Sequence, residues 1–239
     1  MKQLQHFFED KTVKNVLDIG TGTGDFIKVL NDTFGESAQL TGIDPGEQWL
    51  KEARTRFPQN HIGFVCMGGE SLQFEDALFD VVSISNALHH LDNMKQSFNE
   101  MKRVVHPDGW LIINEISDGE LNEAQENQKM LHHFKSFVDR LHGITHHETW
   151  TKDKILEIIK QNDIEIVHSF PHKKMKQANF DELFLDKKYR QMESLLEELQ
   201  GRPEHDRMKD QLPVFKERLK TYGFEMATQL LVIGRVITK

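Results

Sequence analysis

Short apolar runs alternate with amphipathic stretches along most of the chain. β-Branched and aromatic residues predict strands at 15–19, 39–43, 62–66, 80–84, 110–115 and 164–170. Apolar residues at helical spacing predict helices near 24–34, 47–57, 93–105 and 151–161. This alternation is typical of an α/β fold, in which a mostly parallel sheet carries helices on both faces. Ligands of such sheets bind beyond the carboxyl ends of the strands.

The C-terminal part of the chain departs from this alternation. Residues 224–238 predict one long strand, and about fifty residues of helical sequence precede it. Two helices are predicted there, from Asn179 to Gly201 and from Pro203 to Gly223, the second with a kink at Pro213. A further helix is predicted near 120–141, after the fifth strand.

The composition of the chain indicates its cellular compartment and the classes of partner that it binds. The 239 residues are 38% hydrophobic and 28% charged, which suits one large domain with an elaboration. No apolar run approaches the ~20 residues of a membrane span or resembles a secretory signal. The net charge of −8 weighs against a duplex nucleic-acid partner. Cys66 is the only cysteine, so no intrachain disulfide can form. We predict a cytoplasmic monomer or homodimer without a membrane or nucleic-acid partner.

A glycine-rich turn follows the first predicted strand. Residues 18–24 read DIGTGTG, with glycine at every second position. Such a turn lets the backbone approach a ligand closely. A dinucleotide-binding turn would need G-x-G-x-x-G, but its third glycine position holds Asp25 or Ile27 here, depending on the register. A nicotinamide cofactor is therefore disfavoured.

The pattern D-x-G-x-G-x-G resembles the first motif of the class I S-adenosylmethionine-dependent methyltransferases. Four further segments resemble that family's second strand, its fourth strand with the following exit, and its turn into the fifth strand: Leu40–Asp44, Phe79–Val82, Ala87–Leu91 and Val104–Leu111. The resemblance covers about residues 13–116 and agrees best with the small-molecule branch, which methylates ubiquinone precursors and other metabolites. It implies a Rossmann-like seven-stranded sheet with an antiparallel last strand, and S-adenosylmethionine as the cofactor.

The resemblance also implies a cofactor site. The glycine turn would lie under the methionine part, Asp44 would bind both ribose hydroxyls, and Pro45 and Trp49 would lie against adenine. Family members usually carry Gly-Asp-Ala after the third strand, whereas this chain has Met67-Gly68-Gly69, so Glu70 or backbone groups are expected to hold the adenine amino group. The predicted cofactor-binding residues are Asp18, Gly20, Thr21, Gly22, Gly24, Asp44, Pro45, Trp49, Gly69, Glu70 and Ser85.

The resemblance divides the chain into a core and two insertions. The cofactor-binding core comprises residues 1–117, 151–171 and 224–239. The helical insertions comprise residues 118–150 and 172–223. Relatives often cover the site with N-terminal helices, but only about a dozen residues precede the first strand here. The insertions are therefore expected to form the lid and the substrate or dimer contacts.

Histidines are the candidate bases. Methyl transfer from a sulfonium is an in-line displacement that needs a base only if the acceptor arrives protonated. His89 and His90 follow the fourth predicted strand. His90 is expected to pack and cap there, and His89 fits that structural role and a catalytic role equally well. The predicted catalytic residues are His89, His142 and His146.

A second group of histidines lies in the first insertion. His142 and His146 would share one face if the helix continued past Gly143, and residues 132–133 could approach from the preceding helix. Together with Glu148, the group could bind a divalent metal ion, contact substrate in acid–base chemistry, or belong to a solvent-exposed lid. The substrate-facing role without a metal is favoured, and no residue is assigned as a metal ligand.

The sequence leaves three functions open. The first is methyl transfer to a small-molecule acceptor. The second is methylation of RNA or protein, against which the acidic balance weighs. The third is a non-catalytic module that binds the cofactor or a metal ion and contacts a partner protein. The departure at Met67-Gly68-Gly69 favours the third function, whereas the intact Asp18, Gly20, Gly22 and Asp44 weigh against it.

Overall fold

The strands of the computed structural model form one sheet at the positions that the apolar runs predict. The structure describes residues 1–175 and 177–237. Within them the strands are β1 (Asn15–Ile19), β2 (Gln39–Asp44), β3 (Ile62–Cys66), β4 (Phe79–Ser85), β5 (Val105–Ile116), β6 (Ile164–His172) and β7 (Gln229–Val236). The strand order is β3-β2-β1-β4-β5-β7-β6.

The sheet has the mixed arrangement that the resemblance implies. β1 pairs in parallel with β2 and β4, β2 with β3, and β4 with β5. The last strands are antiparallel, and β7 lies between β5 and β6. The chain leaves β1 toward β2 on one side and returns to β4 on the other, so the order reverses between β1 and β4. This switch point is where an open α/β sheet binds its ligand.

Helices connect these strands. They are α1 (Lys2–Phe8), α2 (Asp25–Phe34), α3 (Glu47–Arg56), α4 (Met94–Val104), α5 (Glu123–Leu141), α6 (Lys152–Gln161), α7 (Glu182–Glu197), α8 (Pro203–Met208) and α9 (Gln211–Tyr222). The Asn93 side chain caps α4 by accepting a hydrogen bond from the backbone N–H of Gln96 at 3.1 Å. None of the helices in the described ranges is both long enough and apolar enough to cross a bilayer.

The predicted helix boundaries are wrong in the C-terminal region. α7 begins at Glu182 because Asp181, rather than Asn179, accepts a hydrogen bond from the backbone of Phe184 at 2.9 Å. Asn179 instead pairs with Phe224 through two backbone hydrogen bonds of 2.9 and 3.0 Å. α7 also ends at Glu197, before Gly201.

Pro213 does not kink a single helix from 203 to 223. The helical segment divides into α8 and α9 before Pro213, which then occupies the first turn of α9. A first-turn proline costs no helical hydrogen bond, because that N–H has no partner within the helix.

Two strands begin five residues away from their predicted starts. β5 begins at Val105 rather than 110, and its pairing with β4 is irregular between Phe79 and Val81. β7 begins at Gln229 rather than 224, because Phe224 is engaged in the isolated bridge to Asn179. Thr238, the predicted end of this strand, lies outside the described residues.

The chain divides into two compact units. The sheet unit comprises Met1–Glu115, Asp153–His172 and Leu230–Lys239. The helical unit comprises Ile116–Lys152 and Lys173–Gln229. The predicted role of the insertions as a lid stays a prediction.

Each unit has its own apolar core. In the sheet unit, apolar residues of the strands pack with those of α1 and α2, and the buried members include Leu4, Phe8, Val16, Ile27, Leu30, Leu40, Val81, Ile112 and Leu231. In the helical unit, α5, α7 and α9 contribute Phe134, Val138, Met192 and Phe215, and Leu199, just after α7, joins them. Burial of one such large side chain stabilises the fold by about 1.5–3 kcal/mol.

Candidate cofactor site

The glycine turn adopts the conformation that its sequence predicts. Gly20, Gly22 and Gly24 have φ angles of +65°, +53° and +85°, in the region that favours glycine. A Cβ on Gly20 would lie 2.5 Å from Cβ of Ala87, and one on Gly24 would lie 2.6 Å from the Phe57 ring. A Cβ on Gly22 would meet nothing within 4 Å. The turn is therefore packed against the protein at Gly20 and Gly24 and faces open space at Gly22.

Asp44 ties the glycine turn to the end of β2. Its Oδ2 accepts a hydrogen bond from the backbone N–H of Gly22 at 2.9 Å, and its Oδ1 accepts one from Gly46 at 2.8 Å. The side chain is only partly buried. A carboxylate has about four acceptor sites, so these two bonds leave acceptor capacity on both oxygens. Asp44 can support the turn and also accept bonds from a diol.

Asp18 lies inside the protein beneath the same turn. It is 1% exposed, and its carboxylate accepts hydrogen bonds from the hydroxyls of Thr21 and Ser83, each at 2.8 Å. The register of β1 and β4 brings Ser83 beside Asp18. Burial raises the pKa of Asp18 to about 7, although both hydroxyls favour the charged form. The structure thus gives Asp18 the position of a residue that shapes the turn from within.

Trp49 and Pro45 lie next to Asp44. Trp49 is 50% exposed, and a Cβ on Gly46 would lie 2.4 Å from its Cδ1 atom. Glycine at 46 therefore lets the indole lie close against the backbone that follows β2. The thiol of Cys66 lies 3.5 Å from the carbonyl oxygen of Pro45. An indole that is half exposed in this position has a flat apolar face available to a planar ligand.

The Met67-Gly68-Gly69 segment keeps its backbone close to the site. The Met67 N–H donates to the carbonyl oxygen of Asp44 at 3.1 Å. A Cβ on Gly69 would lie 2.9 Å from the Ile19 side chain, and one on Gly68 would lie 3.2 Å from the Glu70 carboxylate. Glu70 thus folds back over the segment in which the family usually carries its adenine-binding aspartate.

Ser85, His89 and Glu115 lie near the carboxyl ends of β4 and β5. The Ser85 hydroxyl accepts a hydrogen bond from the Asn114 side chain at 2.9 Å. His89 Nδ1 lies 2.8 Å from Glu115 Oε1, and Glu115 Oε2 accepts the Leu88 N–H at 3.2 Å. His89 is 5% exposed and Glu115 is 1% exposed. Glu115 therefore fixes the ring orientation of His89.

Sequence reasoning missed Glu115. The sequence does indicate this residue, because an acidic side chain in the apolar run of the fifth strand needs a polar partner if it is buried. His90 is exposed, and its ring centroid lies 4.3 Å from that of His89.

The histidines of the helical unit separate into different environments. α5 ends at Leu141, and Gly143 has a φ of +76°, so His142 and His146 do not share a helix face. His142 Nδ1 lies 3.6 Å from a carboxylate oxygen of Glu198. His146 is 2% exposed and contacts Asp139 and His132 instead.

His133 and Glu148 form a third environment in the helical unit. His133 Nε2 lies 2.8 Å from the hydroxyl of Thr149, and its Nδ1 lies 3.7 Å from Glu148. Burial lowers the pKa of His133, although the Glu148 charge opposes the shift. Glu148 also accepts a hydrogen bond from Arg140 at 3.2 Å. His142, His146 and Glu148 therefore do not form the single group that the sequence allows.

Comparison with known proteins agrees with this geometry. Residues 17–113 match the family model described as a methyltransferase domain. Over 107 residues the chain is 35% identical to the ubiquinone/menaquinone biosynthesis C-methyltransferase UbiE of Hahella chejuensis. The aligned segment covers 43% of this chain and 43% of that protein. Over 155 residues it is 27% identical to the malonyl-[acyl-carrier protein] O-methyltransferase of a Marinomonas species. This second aligned segment covers 64% of this chain and 54% of that protein.

A solved structure extends the likeness in fold to nearly the whole chain. A protein of Bacillus halodurans C-125 that is classed as a methyltransferase superposes with a TM-score of 0.64 at 20% identity, over 99% of this chain and 98% of that one. The matched segments span less than two thirds of the length of either curated relative.

The match over residues 17–113 and the likeness in fold together confirm the resemblance to class I methyltransferases noted in the sequence. Within that class its curated relatives include small-molecule methyltransferases of the ubiquinone-biosynthesis type.

Proposed function

We propose that the protein transfers a methyl group from S-adenosylmethionine to a small-molecule acceptor. The observation that carries this proposal is the bond between Asp44 and the backbone of Gly22, at 2.9 Å. It joins a backbone-lined turn to a partly exposed carboxylate at the switch point of the sheet. A ligand with a diol beside a charged amino-acid part fits this pair of features.

The residues present fit the cofactor. The open space over Gly22, where a Cβ would meet nothing within 4 Å, is the feature of the turn that suits close approach of a ligand. Gly20 and Gly22 would lie under its methionine part, and Asp44 would accept bonds from both ribose hydroxyls. Pro45 and Trp49 would lie against adenine.

Glu70 and Gly69 are proposed to replace the missing adenine-binding aspartate. Glu70 lies over the segment in which that aspartate would stand, and a carboxylate can accept a bond from an exocyclic amine. Asp18 and Thr21 support the turn from below, since they bond to each other at 2.8 Å. Gly24 and Ser85 complete the proposed set.

The chain would supply orientation, exclusion of water and a base. When bound, S-adenosylmethionine supplies a methyl group that its sulfonium charge already activates. His89 is proposed to accept the proton of an acceptor that arrives protonated. Glu115 accepts from Nδ1, which leaves Nε2 as the basic atom of the ring. Glu115 is therefore proposed as the residue that positions this base.

The class of acceptor is proposed from the relatives and from charge. The two curated relatives named above are a C-methyltransferase and an O-methyltransferase. The net charge of −8 favours a small molecule over a nucleic acid. His142 and His146 occupy different environments in the helical unit, where each lies beside a different carboxylate. Their role as catalytic residues remains a prediction.

One observation favours a second candidate function. Met67-Gly68-Gly69 replaces the usual Gly-Asp-Ala, which would weaken adenine recognition if Glu70 does not substitute. A module that binds the cofactor without turning it over, or a domain that only contacts a partner protein, would tolerate this change. Titration of the folded protein with S-adenosylmethionine and with its demethylated product, followed by a screen of acceptors, separates these functions.

Replacement of Asp44 by alanine is expected to weaken S-adenosylmethionine binding about 100-fold or more. Two hydrogen bonds to a charged acceptor, each worth about 1.5–3 kcal/mol, are removed from the proposed ribose contact. Titration calorimetry measures the dissociation constant, and thermal unfolding reports the cost of losing the Gly22 and Gly46 bonds. Glu47→Ala, which removes an exposed acid three residues away, is the control. Equal affinity of Asp44→Ala and the wild type would refute the ribose assignment.

Replacement of His89 by alanine is expected to lower kcat by about 10²–10⁴-fold with an identified acceptor, because the base is lost. The dissociation constant of S-adenosylmethionine should stay the same. Glu115→Gln should lower kcat less and change the pH profile, because the ring would lose its charged partner. His90→Ala is the matched control, since this neighbouring histidine is exposed. An unchanged kcat in His89→Ala would rule out the base.

A further inference from the structure

His146 is held in one orientation by the helix that precedes it. Its Nδ1 lies 2.6 Å from Oδ2 of Asp139, in the last turns of α5. Lys135 forms an ion pair with the same carboxylate. The Arg140 guanidinium donates to the carbonyl oxygen of His146 at 2.8 Å. The segment after Gly143 thus folds back onto α5, and side-chain and backbone contacts both fix the ring.

Asp139 determines which nitrogen of His146 carries the lone pair. A carboxylate only accepts hydrogen bonds, so Nδ1 of His146 is the protonated nitrogen and Nε2 is the basic one. An imidazole whose Nδ1–H is held by a carboxylate is the usual arrangement of a metal-binding histidine, in which the carboxylate fixes the ring and raises its basicity.

A second imidazole nitrogen faces this basic atom. Nε2 of His132 lies 3.2 Å from Nε2 of His146. The ring centroids are 4.8 Å apart and the ring planes differ by 87°. Because the two nitrogens are closer than the centroids, the Nε2 corners of the rings converge on each other.

We infer that His132 and His146 together bind one divalent transition-metal ion through their Nε2 atoms, with Asp139 as the residue that orients His146. Imidazole nitrogens lie about 2.0–2.1 Å from Zn²⁺, and tetrahedral angles then separate two such ligands by about 3.3–3.4 Å. The observed 3.2 Å is close to this separation. Two imidazoles favour Zn²⁺, Co²⁺, Ni²⁺ or Cu²⁺ over Mg²⁺ and Ca²⁺.

The site has the character of an open metal site. Two histidines leave further coordination positions for water or for an oxygen of a ligand. The same nitrogen pair can also form one N–H···N hydrogen bond. Binding of the ion replaces that bond. His132 then changes tautomer, because its proton leaves Nε2 for solvent and Nδ1 takes one up, so both Nε2 atoms donate lone pairs to the metal without net proton release. The inference concerns the helical unit and does not rest on the proposed methyl transfer.

The test is a metal titration of the full-length protein after removal of metal by a chelator. Calorimetry with Zn²⁺ is expected to give one ion per chain, and Co²⁺ is expected to give the visible absorption of a nitrogen-ligated ion. His132→Ala and His146→Ala should each weaken binding by about tenfold or more, and Asp139→Asn by about 10- to 100-fold. His205→Ala is the control, because this histidine lies on α8 in the same unit.

His132→Gln is a second variant that keeps a polar side chain of similar size at this position. It is made at His132 because that residue is only partly buried, whereas His146 is 2% exposed. Circular dichroism of each variant checks that the fold is retained. If the wild type binds no ion, or if the folded His132 variants bind it as well as His205→Ala does, the inference is overturned. Failure of S-adenosylmethionine to bind the same sample would instead contradict the proposed function and leave the metal result unaffected.

Discussion

Gly20→Ala is expected to destabilise the fold by about 2–4 kcal/mol, whereas Gly22→Ala should cost only about 1 kcal/mol. Both residues have a positive φ, which costs an alanine about 1 kcal/mol. They differ in the space around them. A Cβ on Gly20 would lie 2.5 Å from Cβ of Ala87, and neither carbon can move without its backbone. Overpacking of this kind adds about 1–3 kcal/mol.

Gly22→Ala should act on the ligand instead. Its new methyl group would enter the open space that we propose for the cofactor, so the dissociation constant of S-adenosylmethionine should rise at least about tenfold, or about 1.4 kcal/mol. Chemical denaturation gives the free energy of unfolding, and calorimetry gives the affinity.

Gly35→Ala is the matched control for both variants. Gly35 has a φ of +68° and open space around it, but it lies at the far end of α2. It should show the backbone cost without a change in affinity. If Gly22→Ala binds S-adenosylmethionine as well as Gly35→Ala does, the turn is not the floor of the cofactor site. Equal unfolding free energies for Gly20→Ala and Gly22→Ala would contradict the packing argument.

The glycine turn explains why the cofactor half of the chain could be predicted. Its conformation depends on residues that are adjacent in sequence, so alternating glycines indicate the positive φ angles directly. The contact between Gly20 and Ala87 was not predictable, because it joins positions 67 residues apart through the pairing of β1 with β4. The pairing of Glu115 with His89 escaped sequence reasoning for the same reason.

The helical unit was harder to predict because local signals compete there. Asn179 and Asp181 are both good helix caps, and the backbone pairing of Asn179 with Phe224 decides between them. The spacing of His142 and His146 suggested a shared face, but Gly143 ends the helix and sends the two side chains to different carboxylates. Tertiary contacts of this kind have no local sequence pattern.

Asp18→Asn is expected to remove a pH dependence of stability worth about 2–3 kcal/mol between pH 5 and pH 8. Burial raises the pKa of Asp18 from 3.8 to about 7 in the folded protein. The folded state holds this proton more tightly than the unfolded state. The stabilisation that protonated Asp18 adds to the free energy of unfolding is therefore fully present below about pH 3.8. It is lost as pH rises toward about 7, because the ionised carboxylate is then buried among neutral hydroxyls.

Asparagine imitates the protonated carboxyl and does not titrate. Its amide can bond to the hydroxyls of Thr21 and Ser83, which rotate to donate or accept. The wild type should therefore lose stability relative to Asp18→Asn as pH rises, as measured by urea denaturation at several pH values. Asp25→Asn is the control, because it removes an exposed carboxylate at the start of α2. Its stability should follow the same pH dependence as the wild type. A constant difference between wild type and Asp18→Asn from pH 5 to pH 8 would mean that Asp18 stays charged in the fold.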